Sequence, residues 1–305
     1  MQGKADSQEE KMRIKKIVFV MLALLMVGML TAKDKNFMWK VEEGNTKVYL
    51  LGSVHLMKPE IYPLNPVIDK AFEESDVLVV EVDASKMDPA EIQKIVMEQG
   101  LYTDDTTLES VLPKEYYDKL AKELADSGMA TIDAVNKFKP WYVSINLGAM
   151  RVMKMGMDPA LGIDMTFLNK AKGKKDVLEL ETADFQLQIL SSMDEDLQIE
   201  LIKEALDDPD ETVEMVDKLV DAWQTGNTKA MDKLMNKKLR ERPELQGFYK
   251  ALFTDRNIKM TDKIEGFLQS NDGKTYFVII GSGHYVGKEG IIKLLKKKGH
   301  KAKQL

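Results

Sequence analysis

The chain has no cysteine. That excludes disulfides, thiolate metal ligands, a cysteine nucleophile and the acylated cysteine of a lipoprotein. Histidine is nearly as scarce: His55, His284 and His300 are all there is, so any imidazole chemistry rests on three residues. Positive charge is also in deficit, with a net charge of -6. Nucleic acid and anionic membrane surfaces are therefore poor partners. Long apolar runs are missing except for Ile17 to Leu30, which falls short of the ~20 residues a spanning helix needs.

That one run has the flanks of a secretory signal. Met12-Arg13-Ile14-Lys15-Lys16 is a basic leader, and Thr31-Ala32 puts small residues ahead of the polar Lys33-Asp34-Lys35. Residues 1–32 are expected to be a signal peptide cleaved near Ala32, and residues 33–305 the mature domain. Any membrane contact would come only through this segment if it stays attached. The expected location is the periplasm, the cell envelope or the exterior. Removing five basic and three acidic side chains takes the net charge to -8.

What the chain does have is one motif twice. Lys47-Val48-Tyr49-Leu50-Leu51 runs into Gly52-Ser53-Val54-His55, and Thr275-Tyr276-Phe277-Val278-Ile279-Ile280 runs into Gly281-Ser282-Gly283-His284. Each is a buried-strand pattern that delivers a histidine at its C-terminal end. With 19 glycines in 305 residues, a Gly three places before two specified histidines has a chance of roughly 0.4%, so the repeat is a signal. His300 lacks that context, lies in a lysine-rich tail, and is expected to be solvated.

The other strands bring carboxylates. Asp76-Val77-Leu78-Val79-Val80-Glu81-Val82-Asp83 is apolar on both faces until Glu81, as in a central strand buried between helices. Lys175 to Thr182 is a further strand, ending near Glu181 and preceded by a helix from about Ile163 to Ala171. A hairpin over residues 37–51 with a four-residue turn, a helix opening at Asn65-Pro66, a helix over about 287–298 and a short strand in Lys301–Leu305 complete the frame. From about Met87 to Gln246 the pattern is mostly helical. Pro89, Pro113 and Pro140 open helices that Gly100, Gly128 and Gly156 close, and acidic amphipathic helices follow from Glu195. The methionines at 150, 153, 155 and 157 are read as core fillers. The expected fold class is α/β: a mixed central β-sheet flanked by helices, with the helical insertion of about 87–246 capping the site.

If these strands are neighbours, His55, His284, Glu81 and Glu181 gather at the carboxyl edge of one sheet, where α/β proteins place their sites. Two imidazoles and two carboxylates suit one divalent cation with a general base to spare. A glutamate inside a valine-rich strand is costly to bury without a partner. Asp83 reads as a turn or cap, and Arg256 as a stabiliser of a developing oxyanion or a structural ion partner.

Taken together, the two Gly-x-x-His motifs, Val79 to Asp83, Gly162-Ile163-Asp164, Leu180-Glu181-Thr182-Ala183-Asp184-Phe185-Gln186 and Arg256-Asn257-x-x-Met260 resemble the TraB/PrgY/GumN family. That family is related to the Tiki metalloproteases and more distantly to ChaN-like and erythromycin-esterase-like proteins. The resemblance covers about Phe37 to Leu305. It implies a metal-dependent hydrolase, in the first instance a peptidase acting on a peptide or protein. His55, His284 and Glu81 would be the metal ligands, and Glu81, Glu181 and Arg256 the catalytic groups. The ion could be Mn, Co, Fe or Zn, since nitrogen and carboxylate donors do not select among them. The alternative implied by the same relatives is a haem- or peptide-signal-binding protein without turnover.

Overall fold

The computed structural model describes residues 35–305, apart from the side chains of 211–213 and 238. The expected signal peptide lies outside the described residues. Residues 36–305 form one compact unit. Among the described residues no helix is long and apolar enough to cross a membrane.

A mixed six-stranded sheet organises that unit. Its strands are β1 (Met38–Glu43), β2 (Thr46–Ser53), β3 (Val77–Val80), β4 (Asp176–Glu179), β5 (Thr275–Gly281) and β6 (Lys303–Gln304), in the order β4-β3-β5-β2-β1-β6. β4, β3, β5 and β2 run parallel, while β1 pairs antiparallel with both β2 and β6. β2, β3 and β5 are buried, largely apolar runs because helices cover both of their faces, while β4, Asp-Val-Leu-Glu at the sheet edge, is largely exposed. On one face Phe72 of helix Pro66–Glu73 and Phe167 of helix Ile163–Ala171 close an aromatic triangle on Phe277, with ring centroids 5.0 to 5.5 Å apart. On the other, helix Asp255–Gln269 buries Met260, Ile264 and Leu268 and stacks Phe267 on Tyr276 at 4.6 Å. Tyr276 and Phe277 are consecutive in β5, so they take opposite faces by strand periodicity.

The elements follow their local signals. Asn65 caps helix Pro66–Glu73 with its side chain on Val67 N, and Asp88 does the same for helix Pro89–Gly100 through Ala90 N. Gly128, in the left-handed region at φ 68°, ends helix Lys114–Ser127. Within the helical stretch Leu108, Leu120, Val143, Leu147, Met150 and Ile202 form a second core, separate from the one around the sheet. Met157 joins the sheet core and Met153 is exposed.

The structure corrects four expectations. The first hairpin turns in two residues, with Glu43 opposite Thr46 and Gly44 at φ 54°, where a four-residue turn was expected. The helical run that follows Glu195 is not regular throughout: its backbone is π-helical over Lys233–Lys237 and again over Lys250–Thr254. The last helix is shorter, Ile291–Lys297, because residues 286–290 are bends and turns rather than helix. His300 is not solvated: it is buried, with Nδ1 2.6 Å from Glu43 Oε2 and Nε2 3.4 Å from Glu265 Oε1. Those carboxylates come from the hairpin end and from helix Asp255–Gln269, so the sequence around His300 held no sign of them.

Candidate functional site

The four parallel strands end together, and His55, Glu81 and His284, which follow three of them, line one cleft, while Glu181 lies behind it against Arg256. His55 comes two positions after β2, Glu81 one after β3, Glu181 two after β4, and His284 lies in the 3₁₀ turn after β5. Ser53, His55, Glu81, Gln186 and Gly281 line both of its lobes. One lobe, about 310 Å³, extends along Met87, Ile92 and Leu187. The other, about 370 Å³, is walled by Met231, Met235, Leu252 and Phe253 and also holds Arg256 and His284.

Glu81 and Glu181 share one guanidinium. Arg256 Nη2 lies 2.6 Å from Glu81 Oε2 and 2.6 Å from Glu181 Oε2, and its Nε donates to both oxygens of Glu181 at 2.9 and 3.0 Å. Its Nη1 donates to the Leu252 carbonyl at 3.0 Å. Gln186 Nε2 bridges the two carboxylates at 3.0 Å each, and Gly281 N donates to Glu81 Oε1 at 2.5 Å. Burial pushes the Glu81 carboxyl up, but His284, Arg256, His55 and the Gly281 amide outweigh it and hold the group below its ordinary value. Glu81 is therefore ionised at neutral pH.

The two imidazoles are each oriented through Nδ1 by a different partner. His284 Nδ1 is 2.6 Å from Asn257 Oδ1, and Asn257 Nδ2 donates to the Glu289 carbonyl at 2.9 Å. A carbonyl only accepts, so the amide nitrogen must face Glu289 and the amide oxygen must face His284. The proton of His284 is then on Nδ1 and its lone pair on Nε2. His55 Nδ1 lies 3.3 Å from Asp164 Oδ1, which also accepts from Ser53 Oγ at 2.8 Å. Asp164 reaches this place because Ile163 N bonds the Val54 carbonyl at 3.1 Å and because Gly162 packs on His55: a Cβ there would sit 2.3 Å from His55 O. The hydrogen bond that His55 donates to the Asp164 carboxylate pushes His55 up to about 9, whereas burial pushes His284 down to about 4.

Three of these partners had no role assigned from sequence. Asp164, Asn257 and Gln186 lay inside segments that carried the family resemblance, but their hydrogen bonds, 109 residues apart for Asp164–His55, 105 for Gln186–Glu81 and 27 for Asn257–His284, leave no local mark. Asp83 accepts from Ser85 N at 3.1 Å as the cap of a 3₁₀ turn, the role expected for it.

The family follows from comparison. A model of the TraB/PrgY/gumN family matches residues 37–304, and the chain belongs to that family. It is similar to the uncharacterized protein YbaP of Escherichia coli (strain K12), 25% identical over 265 residues that make up 83% of this chain and 89% of that protein. The Shigella flexneri protein of the same name matches to the same extent. A metalloprotease TIKI homolog of Amphimedon queenslandica is 21% identical over 90% of this chain and 62% of its own length. No solved structure matches.

The donor set bears on whether a cation can be held. Among the described residues no group of three or more His, Cys, Asp or Glu side chains is placed to bind a metal ion. Both oxygens of Glu81 and of Glu181 are taken by Arg256, Gln186 or Gly281. The imidazoles do fit. Each has an oxygen acceptor on Nδ1, the arrangement that orients a ligating histidine and leaves Nε2 to the ion.

Proposed function

We propose that this chain is an exported, metal-dependent hydrolase acting on a peptide or protein. The observation that carries the reading is the convergence in one cleft of two imidazoles oriented through Nδ1, an ionised Glu81 and a buried Arg256. The similarity to a protein named as a metalloprotease supports the reaction class. His55 and His284 would hold the ion, with Glu81 as the third ligand or the base. When bound, the ion would acidify a water and polarise the scissile carbonyl.

The chain's own residues do the rest. Asp164 and Asn257 keep the two rings turned with Nε2 outward. Glu81, held ionised by its neighbours, accepts a proton at Oε2 once that oxygen is free, with Glu181 as the reserve carboxylate. Arg256 supplies positive charge in a site walled by methionine and phenylalanine, where the low dielectric gives it more effect than in water. The helical stretch of about 87–246 caps the cleft through Met87, Ile92, Gln186 and Met235. Mn, Co, Fe and Zn all suit this donor chemistry.

The test is elemental analysis and peptide hydrolysis with purified residues 33–305, incubated with each ion. Wild type and His300→Ala should carry about one ion per chain and cleave, while His55→Ala and His284→Ala should lose both properties. An ion-free wild type, or three variants that behave alike, would sink the proposal. The methionine-rich lobe beside His284 is the feature that favours binding without turnover. A Soret band on haem titration, lost in His284→Ala, would decide for that reading.

A further inference from the structure

The carboxylates that should complete a metal site are already paired with a side chain of the same charge sign as the metal. We infer that Arg256 and a divalent cation are alternative partners of Glu81, so that Arg256 sets how readily the site takes up its ion. This rests on the metal reading above but concerns ion uptake alone, not hydrolysis.

The argument is one of unequal grips. Toward Glu181 the guanidinium offers Nε and Nη2, a fork with contacts of 2.6, 2.9 and 3.0 Å. Toward Glu81 it offers Nη2 alone, at 2.6 Å. Fork-shaped pairing is the stronger and the more directional. If Glu81 Oε2 lets go, Arg256 keeps Glu181 and the Leu252 carbonyl, so the buried positive charge is not abandoned. Without Arg256, Glu81 keeps only the uncharged Gln186 and Gly281 donors, and a nearly buried carboxylate with no counter-charge is expensive, so it needs a cationic substitute. A divalent ion on His55 and His284 is such a substitute, and Glu81 lines the same lobe as both rings. Glu81 is thus the carboxylate that changes partner and Glu181 the one that stays.

The experiment measures binding of Zn²⁺, Mn²⁺, Co²⁺ and Fe²⁺ by calorimetry at one fixed pH, in wild type, Arg256→Lys, Glu81→Gln and the double variant. Lysine keeps the charge but loses the fork, so any gain cannot come from removing repulsion. Arg256→Lys should bind the preferred ion about tenfold more tightly, the scale on which ligand partners tune metal sites. In the Glu81→Gln background the same substitution should change nothing, because a competitor for Glu81 has no effect once Glu81 is gone. Equal or weaker binding by Arg256→Lys, or a gain that persists without Glu81, overturns the inference while leaving the metal reading in place. Absence of binding by wild type and Arg256→Lys alike overturns both. Wild type offers a second readout that needs no variant. The Arg256 η-proton resonances, kept apart while two carboxylates hinder rotation about Cζ–Nη2, should merge when the ion is added, and resonances that stay apart with ion bound contradict the exchange.

Discussion

Two stretches of this chain carry the same Gly-Ser-x-His pattern at the ends of adjacent parallel strands, yet the structure treats them oppositely. His55 stands 64% exposed beside a carboxylate, and His284 is 5% exposed beside an amide. The origin is a one-residue stagger. Gly52 pairs with Ile280, so Gly281 pairs with Ser53, and the second motif begins one position later along the sheet. One residue in a strand inverts the face. Ser53 therefore holds Asp164, while Ser282 is buried and donates to the Ser53 carbonyl at 2.9 Å. Repetition in sequence brought two histidines to one edge; register made one of them open and chargeable and the other enclosed and neutral.

Both histidines face Glu81, so the comparison breaks most severely if the pairing beneath them is removed. Arg256→Met would leave Glu81 and Glu181 buried side by side without a counter-charge. Removing one partner of a buried ion pair costs about 3–5 kcal/mol, and that loss is expected in chemical denaturation at neutral pH. The penalty should shrink under acid, as the unpaired carboxylates take up protons. A loss below about 1 kcal/mol would mean that solvent reaches the pair far more than its burial allows.

The paired glycines give the next largest contrast. A Cβ on Gly52 would lie 2.4 Å from Phe37 Cδ1 and 2.6 Å from Ser282 Oγ, whereas on Gly281 the nearest atom would be Glu81 Oε1 at 3.2 Å. Gly52→Ala must push a packed ring and should cost about 1–3 kcal/mol, the usual range for overpacking. Gly281→Ala should cost clearly less, though it presses on the carboxylate that Gly281 N holds. Thermal melts of the two variants side by side check this, and equal losses would count against the stagger as the cause.

Much of this site could be read in the chain itself, and the reason is local. The strands end where apolar runs meet glycine or glutamate, so His55, His284, Glu81 and Glu181 could be placed at one edge before any coordinates. The partners could not, because Asp164 and Gln186 act on His55 and Glu81 from 109 and 105 positions away, and Asn257 acts on a ring whose tautomer depends on a third group, the Glu289 carbonyl. The stagger was hidden too, since identical motifs suggest identical surroundings. Nor did the periodicity near Lys233–Lys237 and Lys250–Thr254 betray the π-helical backbone that puts Met235 and Phe253 against Gly283. Single turns of that kind cluster at functional sites, and these two flank the enclosed histidine.

Deleting each ring separates stability from ligation. His284→Ala leaves the Asn257 amide oxygen buried without its donor, worth about 1–3 kcal/mol, and opens a void against Phe253. His55→Ala removes an exposed ring and should stay within about 0.5 kcal/mol of wild type. If the cleft binds an ion through both, the two variants should nevertheless lose it equally. Urea midpoints beside ion stoichiometry therefore show two different rankings from one pair of proteins, and a single common ranking would contradict the shared-site reading.

The finest test is a proton titration of the metal-free protein followed by NMR at the imidazole carbons. His55 should lose its proton near pH 9 because Asp164 holds the charged form, and His284 near pH 4 because burial disfavours it. Asp164→Asn should bring His55 back toward its ordinary 6.5, and Asn257→Asp should raise His284. The sign of the stability effect follows from linkage. His55 has a folded value above its unfolded one, so its contribution is complete below about pH 6.5 and fades as pH rises through about 9. His284 has the reverse shift: its enclosure is harmless above pH 6.5 and destabilises progressively as pH falls toward 4. Wild type should therefore lose stability on both flanks, with Asp164→Asn flattening the alkaline one alone. The alkaline effect should be the smallest of those considered, since water around the exposed His55 ring screens its pair with Asp164. Overlapping titrations of His55 and His284 would show that the two environments, so different in packing, act alike on the proton.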